Sequence, residues 1–63
     1  MDTGELEEMA SGITSLIERI TDLTYDALRE QADGHNHFKD VEKKLSSIRR
    51  SLVKAEATLR TLT

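Results

Sequence analysis

The chain's only two histidines, His35 and His37, stand close together between Asp33 and Asp40. Imidazole nitrogens and carboxylate oxygens are ligands for zinc and similar ions. A metal site needs three or four converging ligands, however, and these residues would have to converge around a short polar turn. We therefore interpret the cluster as a solvated turn beside a helix cap, and we expect no metal and no cofactor.

Three serines, Ser46, Ser47 and Ser51, are the candidate nucleophiles of the second half of the chain. A serine hydroxyl attacks only when a neighbouring base activates it, and no base is suitably spaced from these residues. The sequence also has no cysteine and no glycine-rich phosphate loop. These features argue against an enzyme.

The second half of the chain also carries a basic surface that could contact phosphates. Its members are Lys39, Lys43, Lys44, Arg49, Arg50 and Lys54. Glu42 and Glu56 interrupt this surface, no aromatic residue is available on it for base stacking, and the whole chain has a net charge of −3. We therefore interpret these residues as a solvated face, or as a face that pairs with an acidic helix. A small regulatory nucleic-acid-binding helical bundle is the alternative function.

Two hydrophobic repeats with alternating spacings of three and four residues position these side chains, as in helices that pack against other helices. The first repeat comprises Leu6, Met9, Ile13, Leu16, Ile20, Leu23 and Ala27. The second comprises Phe38, Val41, Leu45, Ile48, Leu52, Ala55, Leu59 and Leu62. With Leu6 and Phe38 each at heptad position a, the other members of each repeat fall at a and d.

The polar joint between the repeats predicts an all-α, antiparallel, coiled-coil-like two-helix hairpin. Asp2 can cap the first helix, and Gly34 can end it in a left-handed conformation. We predict one domain over 1–63, with a helix over about 4–32, a turn over 33–36 and a helix over about 37–62. The alternative is one continuous coiled-coil helix, because the two frames are offset by four residues, as at a stutter.

The apolar surface of each predicted helix is wider than one neighbouring helix can cover. In the first helix, Ile17 extends the repeat at position e. A chain of 63 residues without cysteine, and with only one Phe and one Tyr, also lacks the means to build a large core alone. We therefore expect the hairpin to complete a bundle by association, for example a four-helix bundle.

The predicted function is a structural or scaffolding protein interaction module that assembles as a dimer or tetramer, or as a small subunit with other helical proteins. The predicted interface comprises Leu6, Met9, Ile13, Leu16, Ile17, Ile20, Leu23, Phe38, Val41, Leu45, Ile48, Leu52, Leu59 and Leu62. Tyr25 and Leu28 fall outside the repeat and form a second candidate patch for a partner.

Charge is unevenly divided between the halves, since residues 1–32 contain eight acids and two bases, whereas residues 36–63 contain three acids and seven bases. This division favours pairing of the first helix with the second, within one chain or between chains. No segment approaches the roughly 20 apolar residues of a membrane span, and the N-terminal residues are acidic. We expect a soluble intracellular protein of the cytoplasm or nucleus that does not insert into membranes.

Overall fold

The computed structural model describes residues 2–34 and 37–63 and contains helix α1, Thr3–Ala32, and helix α2, Phe38–Arg60. Thr14 Oγ1 lies 3.4 Å from Glu56 Oε2, and Arg49 Nε donates to Thr21 Oγ1 at 3.0 Å. Seven residues forward along α1 therefore correspond to seven residues backward along α2. The predicted antiparallel hairpin is confirmed, and the alternative of one continuous helix is wrong.

The ends of α1 follow the predicted signals. Asp2 is the N-cap, and its Oδ1 accepts a hydrogen bond from the backbone N–H of Gly4 at 2.9 Å. At the other end, Gly34 adopts a φ of 94° and its N–H donates to the Gln31 carbonyl at 3.1 Å. A left-handed glycine of this kind satisfies a carbonyl that the helix end would otherwise leave unpaired.

Helix α2 is slightly shorter than the predicted 37–62. Its N-cap is His37, without a side-chain capping bond, and its C-cap is Thr61. After the helix, Thr61, Leu62 and Thr63 donate their N–H groups to carbonyls three residues earlier, at 3.0–3.3 Å. This tighter turn ends the α-helix. His35 and Asn36, members of the predicted turn, lie outside the described residues.

The two helices pack through positions a and e of the heptads. Leu6, Ala10 and Ala27 are buried. At positions a and e, the half-buried residues are Ile13, Ile17, Ile20, Thr24 and Gln31 of α1, with Phe38, Glu42, Leu45, Leu52, Glu56 and Leu59 of α2. Thr14, Thr21 and Ser46, at position b next to the e rows, are also half-buried. The hairpin itself thus covers the a rows and, on one side of them, the e rows.

The predicted interface residues at position d are not covered by the hairpin. Met9, Leu16, Leu23, Val41, Ile48 and Leu62 are all exposed. Two helices share only a narrow strip of surface, so a face spanning a, d and e cannot be buried by one neighbour. The role of these residues between chains stays a prediction.

Substitution of Gly34 tests whether its left-handed backbone conformation stabilises the joint between the helices. We expect Gly34→Ala to lower the free energy of unfolding by about 1 kcal/mol, because a β-carbon strains the left-handed backbone. Gly34→Asn is the matched control and should cost less, since asparagine tolerates this conformation. Thermal melts followed by circular dichroism, at one protein concentration, measure both. Equal stability of the alanine variant and the parent would contradict this account of the turn.

Candidate protein interaction face

The exposed d rows of both helices lie on the same side of the hairpin. Positions d and e flank position a on opposite sides of a helix. The contacts of Glu56 and Arg49, both at e in α2, with Thr14 and Thr21 of α1 identify the e side. The d rows therefore share the other side, and we call their apolar members the open face: Met9, Leu16, Leu23, Val41, Ile48, Ala55 and Leu62. Glu30 continues the d row of α1 at the end nearest the joint.

The open face is not flat, because hollows lie beside its d residues. Near the joint, a hollow of about 250 Å³ lies between the helices. Its lining comprises Leu23, Asp26, Ala27, Glu30, Phe38, Val41 and Leu45. Toward the C-terminal end of α2, Ala55, Leu59 and Leu62 contribute to a second hollow of about 520 Å³. Alternating apolar ridges and hollows are the surface that side chains of another helix fill.

The margins of the open face, heptad positions g and c, carry an excess of negative charge on α1 and of positive charge on α2. Along α1 the charged margin residues are Glu5, Glu8, Arg19, Asp22, Asp26 and Arg29. Along α2 they include Asp40, Lys44 and Lys54. Arg29 pairs with Asp26, and Lys44 Nζ lies 3.0 Å from Asp40 Oδ2. Exposed pairs of this kind contribute little stability, so their members can exchange partners.

The e side of the hairpin, by contrast, is closed by polar contacts between the helices. Arg60 Nε donates to Glu56 Oε1 at 2.6 Å, and Arg60 Nη2 donates to Thr14 Oγ1 at 3.4 Å. The Thr21 hydroxyl accepts from Arg49 and also lies 2.8 Å from the Ile17 carbonyl. These polar partners satisfy one another at the surface, so the e side presents no continuous apolar row.

Tyr25 and Leu28 lie on the outer side of α1. Together with Asp22, Asp26, Arg29 and Ala32 they line a shallow hollow of about 570 Å³. Both side chains are exposed. The structure thus brings the two residues of the predicted second patch together, and their role in binding a partner stays a prediction.

The basic residues of α2 are dispersed around the helix. Arg49 is directed at Thr21 of α1, and Lys44 pairs with Asp40. Lys39, Lys43 and Arg50 are exposed on the outer side. Two of the six predicted phosphate-binding residues therefore have contacts within the hairpin, and the nucleic-acid hypothesis stays a hypothesis.

The other candidate residues take part in local contacts. Ser46 Oγ donates to Glu42 Oε1 at 3.0 Å, one turn earlier in the same helix. Over residues 2–34 and 37–63, no three histidine, aspartate or glutamate side chains gather at a position suited to a metal ion. Within the same ranges, neither helix combines the length and the apolar character needed to cross a membrane.

Predictions from the sequence did not distinguish the e rows, which the hairpin covers, from the d rows, which it leaves exposed. The available signal was the character of e in α2, where Glu42, Arg49 and Glu56 are all charged. A row of charges next to an apolar a row marks the side where the hairpin meets solvent, leaving the d row for another helix.

Comparison with known proteins adds no relative to this description, since no family model, no curated protein and no solved structure matches the chain.

Proposed function

We propose that this chain is a structural or scaffolding module that assembles a helical bundle by packing other helices on its open face. One observation carries the proposal. The described residues include nine large hydrophobic side chains that are exposed, and six of them belong to the open face. Scattered exposed hydrophobic residues are ordinary, but a contiguous patch of this kind is typical of protein interaction sites.

The small core of the hairpin supports the same proposal. Of the described residues, only Leu6, Ala10 and Ala27 are buried hydrophobic residues, and two of these are alanines. A core this small contributes little to offset the conformational entropy lost on folding. Each additional Å² of apolar surface covered by a partner contributes about 25 cal/mol. Covering the open face is therefore the available source of stability.

A thermal melt over a range of protein concentrations tests this function. If folding depends on covering the open face, the midpoint should rise by several degrees for each tenfold increase in concentration of the assembling components. A chain without its partner should have a weak helical signal and no cooperative transition. A cooperative monomer whose midpoint does not change with concentration would contradict the proposal, because its open face would need no partner.

A further inference from the structure

We propose that the open face is covered by a second copy of this chain, with α1 of each copy lying antiparallel on α2 of the other. The inference rests on the proposed function and identifies its partner. The resulting four-helix bundle has a two-fold axis parallel to the helices, and both joints lie at the same end. Three features of the open face favour this occupant: its area, the levels of its apolar residues and its charges.

The area of the open face suits a stable dimer. The chain measures 50 × 14 × 10 Å between Cα positions, so its broad side covers about 700 Å² before side chains are added. A specific protein interface of standard size buries about 800 Å² on each partner. A second hairpin, with the same outline, covers this side completely.

The apolar residues of the two helices lie at matching levels. The contacts between the helices pair positions whose numbers add up to 70, namely 14 with 56 and 21 with 49. Leu23 of α1 therefore lies within one residue of the level of Ile48 of α2, and Leu16 lies within one residue of the level of Ala55. Rotation about an axis parallel to the helices leaves every residue at its own level. Leu23 of one copy therefore meets Ile48 of the other, and the converse contact follows by symmetry.

The charges on the margins select this arrangement over the other two-fold arrangement. With α1 on α2 of the second copy, Asp26 lies level with Lys44, and Arg29 lies within one residue of the level of Asp40, so both pairs are attractive. A two-fold axis perpendicular to the helices would instead place α1 on α1 and α2 on α2. With that axis at the level of Leu16, the packing brings Glu8 toward Asp22 and Glu5 toward Asp26, which are repulsive pairs.

Cysteine pairs test the contact, because the natural sequence contains no cysteine. Leu23→Cys and Ile48→Cys chains are unfolded together, refolded, oxidised and analysed by non-reducing electrophoresis and mass spectrometry. We expect a disulfide-linked dimer with one chain of each type, since a disulfide needs β-carbons about 3.5–4.5 Å apart. Each variant alone should give at least tenfold less covalent dimer, because its two cysteines lie diagonally across the bundle.

A mixture of Leu28→Cys and Val53→Cys chains is the matched control, since both positions are exposed but lie outside the open face. It should form no more covalent dimer than either variant alone. Strong self-linking of Leu23→Cys, or of Ile48→Cys, would overturn the proposed pairing in favour of α1 on α1 and α2 on α2.

Sedimentation velocity on the parent chain separates this inference from the function on which it rests. We expect a compact species of twice 7.1 kDa. A weakly helical monomer at every concentration would overturn the second copy as partner, while the proposed function would stand with another helical protein. A cooperatively folded monomer with a constant melting midpoint would overturn both.

Discussion

Leu16→Glu is expected to dissociate the assembled protein into weakly helical monomers. Leu16 lies on the open face and is 46% exposed in the hairpin, so the remaining apolar surface becomes covered only when another helix packs there. The substitution removes that burial and places a carboxylate in a site without water. In a symmetric dimer the change occurs twice, and we expect a loss of about 3 kcal/mol or more, which is at least a hundredfold in the dissociation constant.

Leu28→Glu is the matched control for this experiment. Leu28 is the same residue type in the same helix, and its exposure of 42% is similar, but it lies on the outer side. Helix α2 offers an equivalent pair: Val41→Glu on the open face, where the side chain is 40% exposed, and Val53→Glu elsewhere, where it is 42% exposed. Sedimentation and circular dichroism on the four variants should separate them into two open-face variants that dissociate and two that remain assembled.

The opposite outcome has a specific meaning. If Leu28→Glu dissociates the assembly and Leu16→Glu does not, the association uses the Tyr25 and Leu28 side of α1 instead of the open face. If all four variants keep the mass and helicity of the parent chain, then no assembly depends on apolar contacts at the open face or at the surface that contains Leu28 and Val53. Because residue type and exposure are matched within each pair, a general effect of added negative charge cannot explain a difference between the members.

The hairpin was predictable because its signals are local. Asp2 precedes an acidic, apolar-periodic segment, and it caps α1 as expected. Gly34 is the residue type that enters the left-handed region without strain, and it does so at the end of that helix. Capping and chain reversal depend on a few consecutive residues, so the sequence contains the information needed to place them within one or two positions.

The rotation of each helix about its axis was less predictable. Leu16 at d and Ile17 at e are adjacent apolar residues, and the period of the repeat does not decide which of them faces α2. The structure half-buries Ile17 and leaves Leu16 exposed. The choice depends on contacts between distant residues, such as Thr14 with Glu56. No interval within one helix encodes a contact of that kind.

The same limit applies to the site as a whole. The apolar residues of the interface could be identified from their spacing, but their division into rows inside and outside the hairpin could not. Ala10 illustrates the reason: in the sequence it is one small residue beside the repeat, whereas in the structure it is fully buried, at 0% exposure. An alanine at this level lets the helices approach closely, and the closeness of that approach is a property of both helices together.

Ala10→Glu is therefore the substitution that should damage the hairpin most directly. The new side chain must enter the space between the helices, where Thr14 Oγ1 contacts both the Ala10 carbonyl, at 3.2 Å, and Glu56 Oε2, at 3.4 Å. It would bring excess volume and a second carboxylate close to that of Glu56. Overpacking alone costs about 1–3 kcal/mol, and a buried unpaired charge adds to this cost. We expect the helical signal at 25 °C to be lost.

Two comparisons make this expectation specific. Ala57→Glu adds the same side chain to an exposed position of α2 and should leave the melting midpoint within a few degrees of the parent. Ala10→Gln adds nearly the same volume without the charge, so its midpoint should fall between those of the parent and Ala10→Glu. If Ala10→Glu melts like Ala57→Glu, then position 10 is not enclosed by α2, and the helices pack through another row. Such a result would also change the meaning of the open face, because the d row would then be free to lie inside the hairpin.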